Sequence, residues 1–381
     1  MEMKKNMVEY WGVLYEYTSK YNLGETCCAS LSMKEICDMA GLDCAEVMET
    51  LANRVMDYGD LEGRPKLLEG IASLYKTVKP GDIFTATGSS GGNLLAFTAA
   101  INPGDHVVTH IPSYPQLTAF PECFGADITY LELKKEDGYL PNLDEMRRSV
   151  RPDTKLIVIN NPQNPTGALI PNETLREIVE IAKSVDAYLL DDETYRYLNQ
   201  DGSYSESVVD LYDKGISVAG MTKVFALAGL RLGWVITKDP ELKEKIRNFR
   251  EYFTISSSIP SEYFAEIALA NKDLILKRNK DLIRRNLDLV REWVASEPHI
   301  TMLEPKGATM TMLYYDYDVD SMTACREMYE KEKIFIYPGE IFGLERNSIR
   351  LGFSIGYDEL KGGLEAVSRY FHESGYPILQ R

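Results

Sequence analysis

The chain has 381 residues, 44% hydrophobic and 26% charged, with a formal net charge of −16. That length suffices for one large and one smaller domain, and an acidic total without a basic run argues against a nucleic-acid surface. No apolar run approaches the ~18 residues of a membrane span, and the six cysteines form no C-x-x-C pair and do not cluster with the four histidines, so no metal site is expected.

The first residues, "MEMKKNMVEYWGVLYEY", lack the apolar core of a secretory signal. With cysteines that read as reduced thiols, this points to a cytoplasmic protein. From residue 80 to 240, β-rich runs alternate with helical stretches. The candidate strands are 83–86, 106–110, 127–131, 155–159, 187–191, 216–220 and 233–237. Several are continuously apolar, as strands covered on both faces are. The segment 172–185 carries Leu175, Ile178, Val179 and Ala182 at helical spacing. The pattern predicts an α/β fold with a mostly parallel sheet. The last strand follows its predecessor after a short connection, which favours an antiparallel orientation.

After about residue 262 the pattern changes. One or two long amphipathic helices are expected over 262–297, then a strand over 308–316, a helix near 321–333, a strand over 348–354 and a last helix over 357–373. Residues 46–270 read as the large domain. Residues 1–45 and 271–381 read as the small α+β domain, because chain ends often lie close together.

Open parallel sheets bind ligands beyond the carboxyl ends of their strands. Five such ends carry polar or aromatic groups: "TGSSGG" 87–92, "IPSYP" 111–115, "NNPQNPTG" 160–167, "DDETY" 191–195 and "MTK" 221–223. Gly88, Ser89 and Ser90 open a helix, and their N–H groups suit a phosphate, although small residues also cap helices. Tyr114, between prolines, suits either packing or stacking on a flat ring. Two prolines and Gly167 fix the loop that presents Asn164. Asp191, Asp192 and Glu193 would repel one another, so at least one should meet a cation. Tyr195 lies near one helical turn from Asp192.

Lys223 and Arg231 flank "VFALAGL". A lysine in an apolar pocket loses its proton readily and becomes a nucleophile. An arginine keeps its charge and binds phosphate. Phosphate, flat ring, carboxylate partner and lysine-seeking aldehyde together describe pyridoxal phosphate.

With these residues in view, the sequence resembles the class I/II aminotransferases of fold type I, from about residue 58 to 356. "YGDLEGRPKLLEGIA", "NNPQNPTG", "DDETYRYL" and "MTKVFALAGLRLGW" carry the resemblance. It implies a seven-stranded, mostly parallel sheet between helices. It also implies that Lys223 forms the internal aldimine, that Asp192 pairs with the pyridine nitrogen, and that Asn164 and Tyr195 hold the ring hydroxyl. Tyr114 would stack on the ring, and Ser89, Ser90 and Arg231 would hold the phosphate, beside Gly88 and Thr222. Arg350, with Asn164 and Gly24, would bind substrate through its α-carboxylate. Tyr58 would reach the phosphate of a neighbouring subunit in a homodimer. The implied activity is transfer of an α-amino group from an amino acid to a 2-keto acid. The alternative is a lyase, cyclase or oxidase reaction on an amino acid at the same site.

There are departures. Gly220 stands where the family usually has a serine that touches the phosphate. In 253–261 there is no arginine for a second substrate carboxylate. Residues 9–26 loosely resemble a subgroup of capreomycidine synthase-like proteins that act on an arginine-derived substrate. Within that stretch, Glu25 is expected to be solvated rather than to meet a cation.

Overall fold

The structure is a computed structural model and describes residues 2–380. Its central sheet has seven strands: β1 (Ile83–Thr87), β2 (His106–Ile111), β3 (Asp127–Glu132), β4 (Thr154–Asn160), β5 (Tyr188–Asp192), β6 (Gly215–Gly220) and β7 (Leu232–Thr237). Their spatial order is β1-β7-β6-β5-β4-β2-β3. Each corresponds to an expected strand, with ends shifted by a residue or so. Only β7 is antiparallel to its neighbours β1 and β6. The connection from β6 to β7 contains no full crossover helix, and a parallel return needs one.

Alternation along the strands feeds two cores. Ile157, Ile159, Leu189, Trp234 and Ile236 face one. Leu156, Val158, Leu190, Val218 and Val235 face the other. The helix Asn172–Ser184 buries Leu175, Ile178, Val179 and Ala182, the stripe its sequence shows. Because both faces are covered, the open edge of chemistry is the row of strand carboxyl ends.

The expected helical region 262–297 is two helices, α1 (Ile259–Ala270) and α2 (Lys272–Ser296). Beyond them a four-stranded antiparallel sheet forms from Tyr337–Pro338, Ser348–Gly352, Met310–Tyr315 and Ile300–Met302, in that order. The N-terminal segment reaches this region: Tyr21–Asn22 pairs in parallel with Ile334–Phe335, and the Trp11 indole donates to the Ile336 carbonyl at 3.0 Å. The segment is held further by the Gly352 amide, which donates to the Leu23 carbonyl at 2.7 Å. Among the described residues no helix is long and apolar enough to cross a membrane.

One buried acid in α1 couples this fold to pH. Glu262 is 2% exposed. One of its oxygens accepts the Arg64 amide at 3.2 Å, and the other has no partner. Burial pushes its pKa from 4.5 up to about 7. The folded chain therefore holds this proton to higher pH than the unfolded chain. The stability linked to it is fully present below pH 4.5 and is lost as pH rises through about 7. Urea unfolding of Glu262→Gln across this window should show a flatter loss of stability than the parent. An unchanged slope would remove Glu262 as the cause.

Candidate active site

Five strand ends converge on one cavity of about 550 Å3. Strand β6 ends at Gly220, and the chain returns into β7 through the Met221 amide, which donates to the Leu232 carbonyl at 3.0 Å. This tight return holds Lys223 in the cavity wall. Its Nζ donates to Thr26 Oγ1 at 2.9 Å and lies 3.1 Å from Cys27 Sγ and 3.7 Å from Glu25 Oε1. The expectation of an apolar lysine pocket is therefore corrected, because the surroundings are polar. Burial works against the lysine's charge, yet Cys27, Tyr195 and Glu25 outweigh it and raise the pKa well above its ordinary value. The same contact corrects the reading of Glu25 as solvated. It is half-buried, and its carboxylate accepts the Thr26 and Cys27 amides at 2.7 and 2.5 Å. Burial raises its pKa, but Lys223 and these donors bring it below the usual carboxylate range.

At the end of β5, Asp192 is 4% exposed. It accepts from Asn93 Nδ2 at 2.9 Å, the Thr194 amide at 3.1 Å and Thr194 Oγ1 at 2.5 Å. Burial raises its pKa against those donors. No lysine or arginine among the described residues pairs with it. The cation expected for the acidic triplet goes to Glu193, which pairs with buried Arg196 at 2.9 Å. Asp191, on the opposite side of the strand, has no partner for either carboxyl oxygen. Burial and Glu193 raise its pKa well above the usual carboxylate range.

The end of β1 opens the helix Gly88–Ala100. Gly88 has φ +68°, and a Cβ there would meet the Arg231 guanidinium at 2.8 Å. Arg231 itself has φ +48°, a region non-glycine residues rarely adopt. No carboxylate among the described residues pairs with its guanidinium. A helix N-terminus, the cavity-lining Ser89 and Ser90, and this guanidinium thus form an anion-binding corner. Gly220 packs into the same corner. A Cβ there would lie 3.1 Å from Gly233 Cα and 3.3 Å from the Ser89 amide nitrogen, so a serine at 220 would press on the backbone that closes the corner.

Arg350, on Ser348–Gly352, is 2% exposed. It donates to Asn164 Oδ1 at 2.9 Å and to the Gly24 carbonyl at 3.0 Å. Its Nε has no partner, and no carboxylate among the described residues reaches it. Tyr337 and Phe342 lie 4.3 and 5.0 Å from its guanidinium carbon. Tyr195 donates to Thr26 Oγ1 at 3.0 Å, and the Tyr114 hydroxyl donates to Glu9 at 3.2 Å.

Of the expected residues, Gly24, Ser89, Ser90, Tyr114, Asn164, Asp192, Tyr195, Thr222, Lys223, Arg231 and Arg350 all line the cavity, and Gly88 lies behind Arg231. Tyr58 does not join them; it is 66% exposed on the outside of the chain. Sequence reasoning missed Asn93, Thr26, Cys27, Glu9 and Glu16. Asn93 was within reach, since it directly follows the glycine-serine loop 87–92. The others stand on the N-terminal segment, which carries no local signal of where it packs.

The residues fit pyridoxal phosphate on two independent observations. A buried acid without a cation suits a protonated ring nitrogen, and the anion corner suits a phosphate. A doubly wound sheet with this constellation at its strand ends defines a pyridoxal-phosphate-dependent enzyme of fold type I. The class I and II aminotransferase family model matches residues 28–367, and the chain belongs to that family. It is 32% identical over 302 residues to a capreomycidine synthase of Streptomyces vinaceus, covering 78% of this chain and 77% of the relative. It is 27% identical over 324 residues to an aspartate aminotransferase of Sulfurisphaera tokodaii, covering 82% and 81%. Among solved structures, a PLP-dependent aminotransferase from Streptococcus suis superposes with TM-score 0.94 at 32% identity, over 98% of this chain and 99% of that one.

The close packing under the anion corner is testable. A Cβ at Gly233 would sit 2.3 Å from the Gly88 carbonyl carbon and 2.5 Å from the Ser89 amide nitrogen. Gly233→Ala should lower stability by about 1–3 kcal/mol in urea unfolding and weaken cofactor affinity measured by fluorescence quenching. Retained affinity would show that the helix start does not contribute to binding.

Proposed function

We propose that this enzyme moves the α-amino group of an amino acid to a 2-keto acid, with Lys223 as the amine that holds the cofactor's aldehyde. The observation that carries this reading is the pairing of unmet charges around Lys223: a buried acid with no cation, Asp192, and a buried guanidinium with no carboxylate, Arg350. When bound, pyridoxal phosphate supplies an aldehyde that condenses with amines and a ring that withdraws electrons from an adjoining carbon. Asp192, aligned by Asn93 and Thr194, would keep the ring nitrogen protonated. Ser89, Ser90 and Arg231 would hold the phosphate, with Gly88 leaving room for the guanidinium and Thr222 beside it. Tyr114 would stack on the ring, and Asn164 and Tyr195 would orient its hydroxyl.

Arg350 takes the substrate α-carboxylate through two donors, and Gly24 fixes one side of that guanidinium. The Lys223 amine would accept the α-proton as a general base and then deliver it as a general acid to the carbon that the cofactor's aldehyde supplies, not back to the α-carbon. Residues 46–270 form the cofactor-binding unit in this reading. Residues 1–45 and 271–381 form the smaller unit that brings Gly24, Glu25 and Arg350 to it. The active form is a cytoplasmic homodimer in which Tyr58 serves the partner's site. Its support is the exposed apolar stretch around Tyr58, with Val55 at 72% and Met56 at 70% exposure, and six free cysteines.

The similarity to capreomycidine synthase favours a second reading, a lyase, cyclase or oxidase acting on an amino acid at the same site. Transamination with the amino acid alone would leave the cofactor as its amine, and a keto acid would be consumed in restoring the aldehyde. Elimination releases ammonia without a keto acid.

Protein loaded with cofactor should show the visible absorbance of a lysine-bound aldehyde, and borohydride should fix the adduct on the Lys223 peptide. Lys223→Ala should lose both, with turnover falling by about 10²–10⁴-fold or more. A colourless protein, or an adduct on another lysine, would overturn the reading. Arg350→Lys loses the planar fork. It should raise KM for the amino acid about 10- to 100-fold while changing kcat less, as expected for a charge-assisted bond of about 1.5–3 kcal/mol. An unchanged KM would remove Arg350 from the carboxylate site.

A further inference from the structure

We infer that Glu25 is the counter-charge of the α-proton step: it stabilises Lys223 as that amine becomes an ammonium, and it slows the amine's first condensation with the cofactor. The inference rests on the base role proposed for Lys223 above and adds a second residue to it.

The free Lys223 amine meets three groups. Its Nζ donates to Thr26 Oγ1 at 2.9 Å and lies 3.1 Å from Cys27 Sγ and 3.7 Å from Glu25 Oε1. Only one of the three carries a full negative charge at neutral pH. Burial pushes the Cys27 thiol up to about 11, and the Thr26 hydroxyl does not ionise. Tyr195, which donates to the same Thr26 Oγ1, is also raised by burial. Glu25 moves the other way. Burial raises its pKa, but Lys223 and the Cys27 and Thr26 donors bring it below the usual carboxylate range. Glu9 and Glu16, on and just after the helix Met7–Tyr15, line the cavity as well, but neither forms an ion pair with the lysine. Tyr114, Tyr337 and Cys28 sense the lysine's charge from farther off, and burial raises the pKa of each.

Glu25 is fixed before the step begins. Its Oε1 accepts the Thr26 and Cys27 amides at 2.7 and 2.5 Å, and its own amide donates to Asn22 Oδ1 at 3.0 Å. The Thr26 and Cys27 carbonyls are tied in turn by Thr309 Oγ1 and Ser354 Oγ. A charge held where opposite charge develops needs no reorganisation during the step. The order along the chain adds to this. The Gly24 carbonyl accepts from Arg350 at 3.0 Å, and the next residue faces the lysine. One short segment thus joins the group that takes an α-carboxylate to the group that takes the α-proton.

The α-carbon loses a proton, the uncharged amine gains it, and Glu25 gains none; its charge offsets the new ammonium. The same charge works against condensation with an aldehyde, which needs the uncharged amine. Removing it should move the two steps in opposite directions, whereas a loss of packing would slow both.

The test compares the parent with Glu25→Gln. Free of cofactor, the full chain is labelled with acetic anhydride at about pH 9, below the ordinary lysine value, and the Lys223 peptide is read by mass spectrometry. Label should enter Glu25→Gln about threefold faster or more, and this variant should condense faster with added pyridoxal phosphate. Loaded with cofactor, each protein is incubated in D2O with an equimolar mixture of the protein L-amino acids. The parent should place deuterium on the α-carbon of at least one of them, and Glu25→Gln should do so about tenfold more slowly or worse. Glu25→Asp draws the charge back by one methylene and should show the same two signs at smaller size; it decides the matter if Glu25→Gln does not fold. Any result other than faster labelling with slower exchange overturns the counter-charge, while the base role of Lys223 stands. If the parent exchanges no amino acid, that base role falls and the inference with it.

Discussion

Asp192 is the group on which the site depends. A carboxyl group this deep in a protein is costly to ionise unless donors or a cation compensate it. Asn93 and Thr194 supply three hydrogen bonds, and no protein cation completes the set. The neighbouring acids were dealt with differently. Glu193 received Arg196, and burial, with Glu193 beside it, raises the pKa of Asp191 well above the usual carboxylate range. Three consecutive acids therefore end in three electrostatic states. Only the middle one faces the cavity with its charge supported but unpaired, which is the state suited to a cationic ring nitrogen.

The opposite wall has the same logic with the sign reversed. Arg350 sits under aromatic rings with two amide-type acceptors and no carboxylate. One acceptor comes from the loop after β4 and the other from Gly24, so the guanidinium ties the large sheet, the small sheet and the N-terminal segment together. That segment is held from several sides. Thr309 Oγ1 donates to the Thr26 carbonyl at 2.7 Å, and Ser354 Oγ donates to the Cys27 carbonyl at 2.8 Å. Residues 24–27 are thereby pressed against Lys223. This explains how a stretch far from the lysine in sequence comes to set its protonation.

The anion corner shows what close packing demands. Helix start and β7 approach so nearly that Gly233 has no room for a side chain, and Gly220 has little. The absence of the serine usual in the family at 220 is consistent with this crowding. The Arg231 guanidinium stands over Gly88 instead, where its charge adds to that of the helix N-terminus.

The seven sheet strands, the antiparallel last one and the row of polar strand ends were legible in the chain itself. Strand and helix periods are local, and a doubly wound sheet places its strand ends on one side by topology alone. That Lys223, Asp192, Asn164 and Arg231 line one cavity was legible for the same reason, because each stands a few residues from a strand end. The surroundings of the lysine could not. Whether it sits in an apolar or an acidic environment depends on Glu25, Thr26 and Cys27, which approach from a part of the chain about two hundred residues away. The acidic wall of Glu9, Glu16 and Glu25 likewise exists only once the first helix folds over the cavity mouth. Sequence determined which groups could do chemistry; packing over long chain separations decided what charges surround them, because electrostatic environment depends on distance in space and not on spacing along the chain.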